Sequence, residues 1–229
     1  MEETIVSKTE LRRKGVWHFQ PYSKAANDIS DLFKKSRFPI RKLSTLVREK
    51  IVNGYLTISS DAEEGIPLLS IKNISANGIN FDGIRYITLE EHKKLVDTQV
   101  QYGDVVVNLI SKPGLSAVYI ANKPSNLGRH LARLRLTSEI DANYLVYYLN
   151  SEIGQALISS SAIGSVQPKL TIEALINLFI ILPPLDIQRR IAARSQNLEQ
   201  EAADLLKAAE HRKAEAYNIA SELLEGDRE

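Results

Sequence analysis

The spacing of hydrophobic and polar positions changes twice along this chain. From about residue 50 to 137, short runs rich in Val, Ile, Leu and Tyr are separated by Gly, Asn, Asp and Pro. The runs are GYLTIS, GIPLLSIKNI, INFDGIRYIT, GDVVVNLI, LSAVYIA and LARLRLT. Runs this short and close predict a twisted, mostly antiparallel sheet or a partial barrel. One interruption, TLEEHKKLV, predicts a helix with Thr88 as its N-cap. Glu91, three residues later, completes a capping box.

From 141 to 163 the period becomes helical. DANYLVYYLNSEIGQALIS sets Tyr144, Leu145, Tyr148, Leu149, Ile153 and Leu157 at steps of three and four, behind Asp141 as N-cap. SAIGSVQPK predicts a loop, TIEALINL one or two helical turns, and FIIL a short buried strand. Upstream, residues 1–37 are polar and mixed. Ser23–Phe33 has the spacing of a short helix, and Pro39 marks the boundary before a short amphipathic segment.

FIIL runs into Pro183 and Pro184. Pro184 donates no backbone hydrogen bond and holds Pro183 extended, so the strand stops there. Asp186 then serves as N-cap or as an acid in the first helical turn. From Ile187 to about Leu224 neither Pro nor Gly occurs. A helix of nearly forty residues is about 55–60 Å long, more than a domain of this size covers. Ile191, Leu198, Leu205 and Ile219 follow seven-residue steps, with Arg212 taking one turn. Ala202, Ala209, Ala216 and Leu223 recur four residues after the large positions. This is a heptad seam with alanine on one side, which lets a second helix approach closely. Packing of the stripe back onto its own domain is the alternative. The fold class expected is therefore α+β: a β-rich domain with short helices, then a long C-terminal helix that forms a coiled coil. The expected divisions are 1–37, 38–184 and 185–229.

Composition narrows the function. With 44% hydrophobic residues the 229-residue chain has enough material for a core. It has no cysteine, which excludes disulfides and cysteine-ligated metal. No apolar run reaches bilayer length and no signal-peptide core is present, so a soluble, cytoplasmic protein is expected. The net charge of +1 hides a gradient. Met1–Ile58 holds twelve basic and six acidic side chains, whereas Leu185–Glu229 holds seven and ten. A solvated basic face and a phosphate-facing surface both fit the first count.

Catalytic patterns are absent: no Walker loop, nucleophile elbow, HExxH pair or Asn/Asp-Pro-Pro-aromatic loop. His18, His92, His130 and His211 are scattered. Asp61, Glu63 and Glu64 sit together before a glycine, the habit of a solvated loop, and no metal or other cofactor is expected. Asp104 in YGDVVV has the setting of a turn residue that bonds local backbone. Recognition chemistry is better supplied. SIKNISANG, NLISKPGLS, NLGRHLARLR and SVQPK carry Lys, Arg, Asn, Gln and Ser, which suit base edges and phosphates.

Four blocks in order carry a resemblance: GIPLLSIKNISANGINF, QYGDVVVNLISKPGLSAVYI, DANYLVYYLNSE and IGSVQPKLTIEALINLFIILPPLDIQRRIA with the helix behind it. Over about 40–225 the chain resembles the DNA specificity subunit of type I restriction–modification systems. It matches one target-recognition domain with its following long helix. The family usually has an acid before the glutamine of the last block, and here that position is Ile187. The resemblance implies a subunit that catalyses nothing itself. It implies binding to one half of a split duplex DNA target and docking of DNA adenine methyltransferase (modification) subunits, with a motor subunit where restriction occurs. A complete subunit has two such domains and two helices, so this chain looks like half of one. A homodimer through antiparallel C-terminal helices would restore the pair. The recognition half of a longer fused methyltransferase, and a non-catalytic coiled-coil scaffold, are the alternatives. The matched loops nominate Lys72, Asn73, Asn108, Ser111, Lys112, Arg129, Arg133, Gln167 and Lys169 for DNA contact. Ile191, Leu198, Ala202, Leu205, Ala209, Ala216 and Ile219 are nominated for helix pairing.

Overall fold

A computed structural model describes residues 33–54, 64–164 and 168–225, with side chains to residue 219. The chain forms two compact units, which divide between Arg189 and Arg190.

The first unit is built on short strands. Strand β1 (Ile40–Lys42) is followed by β2 (Val52–Asn53), β3 (Ile66–Leu69), β4 (Ile74–Ser75), β5 (Gly78–Ile79) and β6 (Arg85–Ile87). Helix α1 (Leu89–Lys94) leads to β7 (Gln99–Val100), β8 (Val105–Asn108), β9 (Ser116–Val118), β10 (Ser125–Leu127) and β11 (Leu131–Leu134). Helices α2 (Ala142–Asn150), α3 (Glu152–Ser161) and α4 (Ile172–Ile176) precede β12 (Phe179–Ile181) and the long α5 (Leu185–Glu225).

Two four-stranded sheets, in the orders β6-β3-β10-β7 and β2-β11-β8-β9, carry the unit, with two-stranded pairs β1-β12 and β4-β5 beside them. Pairing is antiparallel except between β3 and β10. This is the mostly antiparallel arrangement that the short apolar runs predict. The run GYLTIS lies largely outside the described residues, and so does most of the expected Ser23–Phe33 helix.

The core forms where the two sheets meet. Leu69, Val100 and Leu127 come from one sheet, Val106, Ala117 and Leu131 from the other, and Tyr119 and Ile74 complete the cluster. Val105, Val106 and Val107 are fully buried, although they are consecutive. A strand covered on both faces has no polar side, which is why VVV stands there. Each such side chain contributes about 1.5–3 kcal/mol by burial. Tyr119 keeps its hydroxyl satisfied inside, bonding Lys123 O at 2.8 Å and Ser125 Oγ at 2.6 Å.

The expected 141–163 helix is two helices. Ser151 ends α2 and caps α3, its Oγ accepting from Gly154 N at 3.2 Å and donating to Tyr148 O at 2.7 Å. The apolar period runs through the break, so periodicity alone hides it. Asp141 caps α2 through Tyr144 N, and Thr88 caps α1 with Glu91 answering, both as the sequence predicts. Tyr144 and Tyr148 donate to Ile181 O and Phe179 O, tying α2 to β12. Burial raises the pKa of both phenols, so they remain donors.

The first turn of α5 is fixed by Gln188, whose side chain is fully buried. Its Oε1 accepts from Asp141 N at 2.8 Å, and its Nε2 donates to Pro183 O at 2.7 Å and Glu139 O at 3.0 Å. Asp186 lies in that first turn, the second of the two roles expected for it.

The second unit is the rest of α5. Leu198, Leu205 and Ile219 are each more than half exposed, and Ala202, Ala209 and Ala216 are exposed beside them. Ile191 is half-buried. Leu206, four residues after Ala202, is also exposed and widens the apolar stripe by one position, and Tyr217 is exposed further round the helix.

Candidate nucleic-acid interface

Strand direction decides which loops share an end. β8 finishes at Asn108, opposite the first residue of β11, Leu131. The loop after β8 and the segment before β11 therefore leave the sheet together, and Leu109 N donates to His130 O at 2.9 Å. β3 and β10 run parallel, so the residues after Leu69 and after Leu127 emerge at one end too. Gly128 N donates to Leu69 O at 2.7 Å. Leu170 N bonds Leu109 O at 2.8 Å, and Ile110 bridges to Lys169, which brings Lys169 to the same end.

Two glycines make this convergence possible. A Cβ on Gly54 would lie 2.0 Å from Gly128 O, and one on Gly128 would lie 2.5 Å from Leu69 O. Only bare backbone fits where these segments cross.

Five of the nominated residues meet at this end: Lys72, Ser111, Lys112, Arg129 and Lys169. All are exposed. The segments 70–80, 109–115, 128–130 and 168–170 contain Lys72, Lys112, Arg129 and Lys169 and no carboxylate. Among the described residues, none of these four cations is ion-paired. Ser111 at its loop tip and His130 both adopt left-handed backbone, with φ of 64° and 69°. Burial first, then the charges of Arg129 and Lys169, hold the His130 imidazole below the ordinary histidine pKa.

Three nominated residues are placed otherwise. Asn73 is buried, its Oδ1 accepting from Ser70 N at 2.9 Å and Ser70 Oγ at 2.7 Å, while Nδ2 donates to Asn80 O at 2.9 Å. It clasps the turn that presents Lys72. Asn108 is 2% exposed and sits inside the strand ladder. Arg133 is also buried. It donates to Gln99 O and, at 3.0 Å, to Glu49 Oε2. Asn73 closes its own turn, whereas Asn108 and Arg133 stand on strands that are buried at every position, so neither strand has a face left for solvent. Gln167 lies outside the described residues.

Arg133 belongs to an ionic network towards the other end of β8. Arg135 donates from Nε and NH2 to the two oxygens of Asp104, each at 2.9 Å, and from NH1 to Glu49. Asp104 Oδ2 also accepts from Gln101 N at 2.9 Å, the local turn bond expected from YGDVVV. The two arginines respond oppositely. Burial dominates at Arg133 and lowers its pKa, whereas the fork to Asp104 dominates at Arg135 and raises it. Among the described residues no group of three or more His, Asp or Glu is placed to hold a metal ion. No helix among them is long and apolar enough to cross a membrane.

A family model described as "Type I restriction modification DNA specificity domain" matches residues 26–215. The chain belongs to that family. Among its relatives, the MjaVIII specificity subunit of Methanocaldococcus jannaschii is 26% identical over 197 residues, covering 83% of this chain and 45% of that protein. The EcoBI specificity subunit of Escherichia coli is 22% identical over 172 residues, covering 75% and 36%. The chain thus spans less than half the length of these two specificity subunits. The crystal structure of the HsdS subunit from Thermoanaerobacter tengcongensis shares the fold, with a TM-score of 0.59 at 21% identity over 95% of this chain and 54% of that one. The expected α+β class, a β-rich domain followed by a long helix, is the class observed in this specificity domain.

Two features of the specificity domain lie outside what its sequence predicts. Gln188 stands in the last motif block with no role expected of it, yet its amide, four residues past Pro184, turns back to Pro183 O and Glu139 O. The left-handed conformations at Ser111 and His130 leave no sequence signal of their own.

Proposed function

We propose that this specificity domain reads one half of a split duplex DNA target for a type I restriction–modification enzyme. In this reading it docks modification subunits that supply the methyl transfer, and it performs no chemistry itself. The carrying observation is the gathering of Lys72, Lys112, Arg129 and Lys169, unpaired among the described residues, on carboxylate-free segments at one end of two packed sheets. Cations so placed neutralise phosphates, while Ser111 at its loop tip supplies a small polar group near the base edges. The α5 stripe supports pairing with a second helix. Its alanines permit close approach, and a two-fold antiparallel pair would use one patch twice. Two copies would then read two half-sites at a fixed gap.

Duplex binding measured from 50 to 200 mM salt tests the reading. Four phosphate contacts predict a slope of log affinity against log salt of about −3.6 per domain. Salt-independent binding, or none at 50 mM salt, overturns it.

A further inference from the structure

We infer that His130 is a base-reading residue, donating an imidazole N–H to the N7 acceptor of one purine in the half-site. This rests on the proposed role in DNA recognition.

Four observations lead there. His130 holds a φ of 69°, a region that non-glycine residues enter at a cost. The neighbouring loop holds Ser111 at 64° in the same way. Strained backbone persists where surrounding bonds over-determine it, and it gathers at functional sites. Here Leu109 N bonds His130 O, and β11 begins one residue later, so the backbone of His130 is held from both sides. Second, the side chain is half-buried, not enclosed. Third, its imidazole has no hydrogen-bond partner among the described residues. Fourth, Arg129 and Lys169 are near enough to be the charges that act on it most after burial.

Those two cations and the imidazole suit different parts of DNA. Arg129 and Lys169 are flexible, exposed and positively charged, which suits phosphate. The imidazole is short, set on a fixed backbone and kept neutral by its surroundings. A neutral imidazole offers one donor and one acceptor. The N7 of either purine is an acceptor in the major groove, and no pyrimidine presents an acceptor there in the same place. The expected selection is therefore for a purine at one position, without a choice between guanine and adenine by this bond alone.

The experiment maps methylated motifs in cells carrying the full chain with its modification subunit. Wild type is compared with His130→Gly, which keeps the left-handed backbone and removes the ring. His130→Ala is the variant more prone to misfold, so Gly carries the test, and thermal unfolding of each purified chain checks folding. The expected result for His130→Gly is an unchanged unfolding temperature and one motif position relaxed from purine to any base. Discrimination there falls about three- to ten-fold, the worth of one neutral hydrogen bond. A 7-deazapurine at that position in the duplex should cost wild type a comparable factor and the glycine variant nothing. An unchanged motif in a folded His130→Gly chain overturns the inference while leaving the DNA-reading role intact. So does uniform weakening on all sequences, which would mark a phosphate contact. Methylation independent of the wild-type chain overturns both.

Discussion

Asp141 and Gln188, forty-seven positions apart, meet through one hydrogen bond of 2.8 Å from the Asp141 backbone N–H to the Gln188 side-chain oxygen. The bond makes Asp141 a junction. Its carboxylate caps α2 while its amide holds the first turn of α5. Gln188 completes the junction by donating to Glu139 O and Pro183 O. Pro184 has no N–H to offer, so a side chain supplies the donor that the end of β12 would otherwise lack.

Gln188→Leu keeps the volume and removes all three bonds. It strands buried carbonyls and one buried N–H, so a loss of about 2–4 kcal/mol is expected. Urea unfolding checks it. Gln188→Glu should cost more at neutral pH, because a carboxylate accepts from Asp141 N but donates nothing to the two carbonyls.

The Arg135–Asp104 fork gives a second expectation. Asp104→Ala leaves Arg135 without its two-bond partner and frees the Gln101 amide, and should destabilise the domain by about 3–5 kcal/mol. The same variant separates structure from chemistry. Its stability should fall, yet duplex binding by the fraction that remains folded should be unchanged.

Glu49 supplies a pH dependence. Its hydrogen bonds to Arg135 lower its pKa below the ordinary carboxylate value, against an opposing effect of burial. Its contribution is therefore complete above the unfolded-state pKa and is lost as pH falls through the lower folded value. Thermal unfolding followed from pH 6 to pH 3 should show a decline that is shallower in Glu49→Gln. An identical acid limb in both chains contradicts this. His130 acts with the same slope at higher pH. Its folded pKa is lowered, so its neutral form favours the fold above the ordinary histidine value, and that advantage declines as pH drops through it.

Surface charge at the recognition end gives a fourth. Lys112→Glu with Arg129→Glu should weaken duplex binding at least ten-fold at low salt and flatten the salt slope by about two. The unfolding midpoint should stay within about 0.5 kcal/mol of wild type, since both side chains are exposed. Loss of stability without change in the salt slope would mark them as structural.

Much of this was legible in the residues, and what was not depends on packing. Thr88, Asp141 and the two prolines act locally, so their caps and stops follow from a few neighbours. The loops carrying Lys72, Lys112, Arg129 and Lys169 were identifiable by composition, and the strand pairings bring them to one end. Asn73 clasps its own turn, whereas Asn108 and Arg133 are enclosed because both faces of their strands are covered. That is settled by sheets that residues far away in sequence complete. Arg133 is the clearest case: it sits two residues before Arg135 on one strand face, and Glu49, reached across eighty-four positions, binds both.

The exposed stripe of α5 carries the last prediction. Leu198, Leu205, Leu206 and Ile219 leave a row of large apolar side chains in water on a single helix. Such a row is costly unless a partner covers it. The flanking alanines set how close that partner comes, so enlarging one should act as strongly as charging a leucine. Ala209→Leu should push paired helices apart and weaken association at least ten-fold. Leu205→Lys should do the same by burying a charge. Analytical ultracentrifugation of wild type should give a concentration-dependent dimer, and both variants should sediment as monomers at the same concentration. Circular dichroism separates this from lost helix, since leucine and lysine are both good helix formers. A wild-type monomer at tens of micromolar would mean that the stripe meets something other than a second copy of this helix.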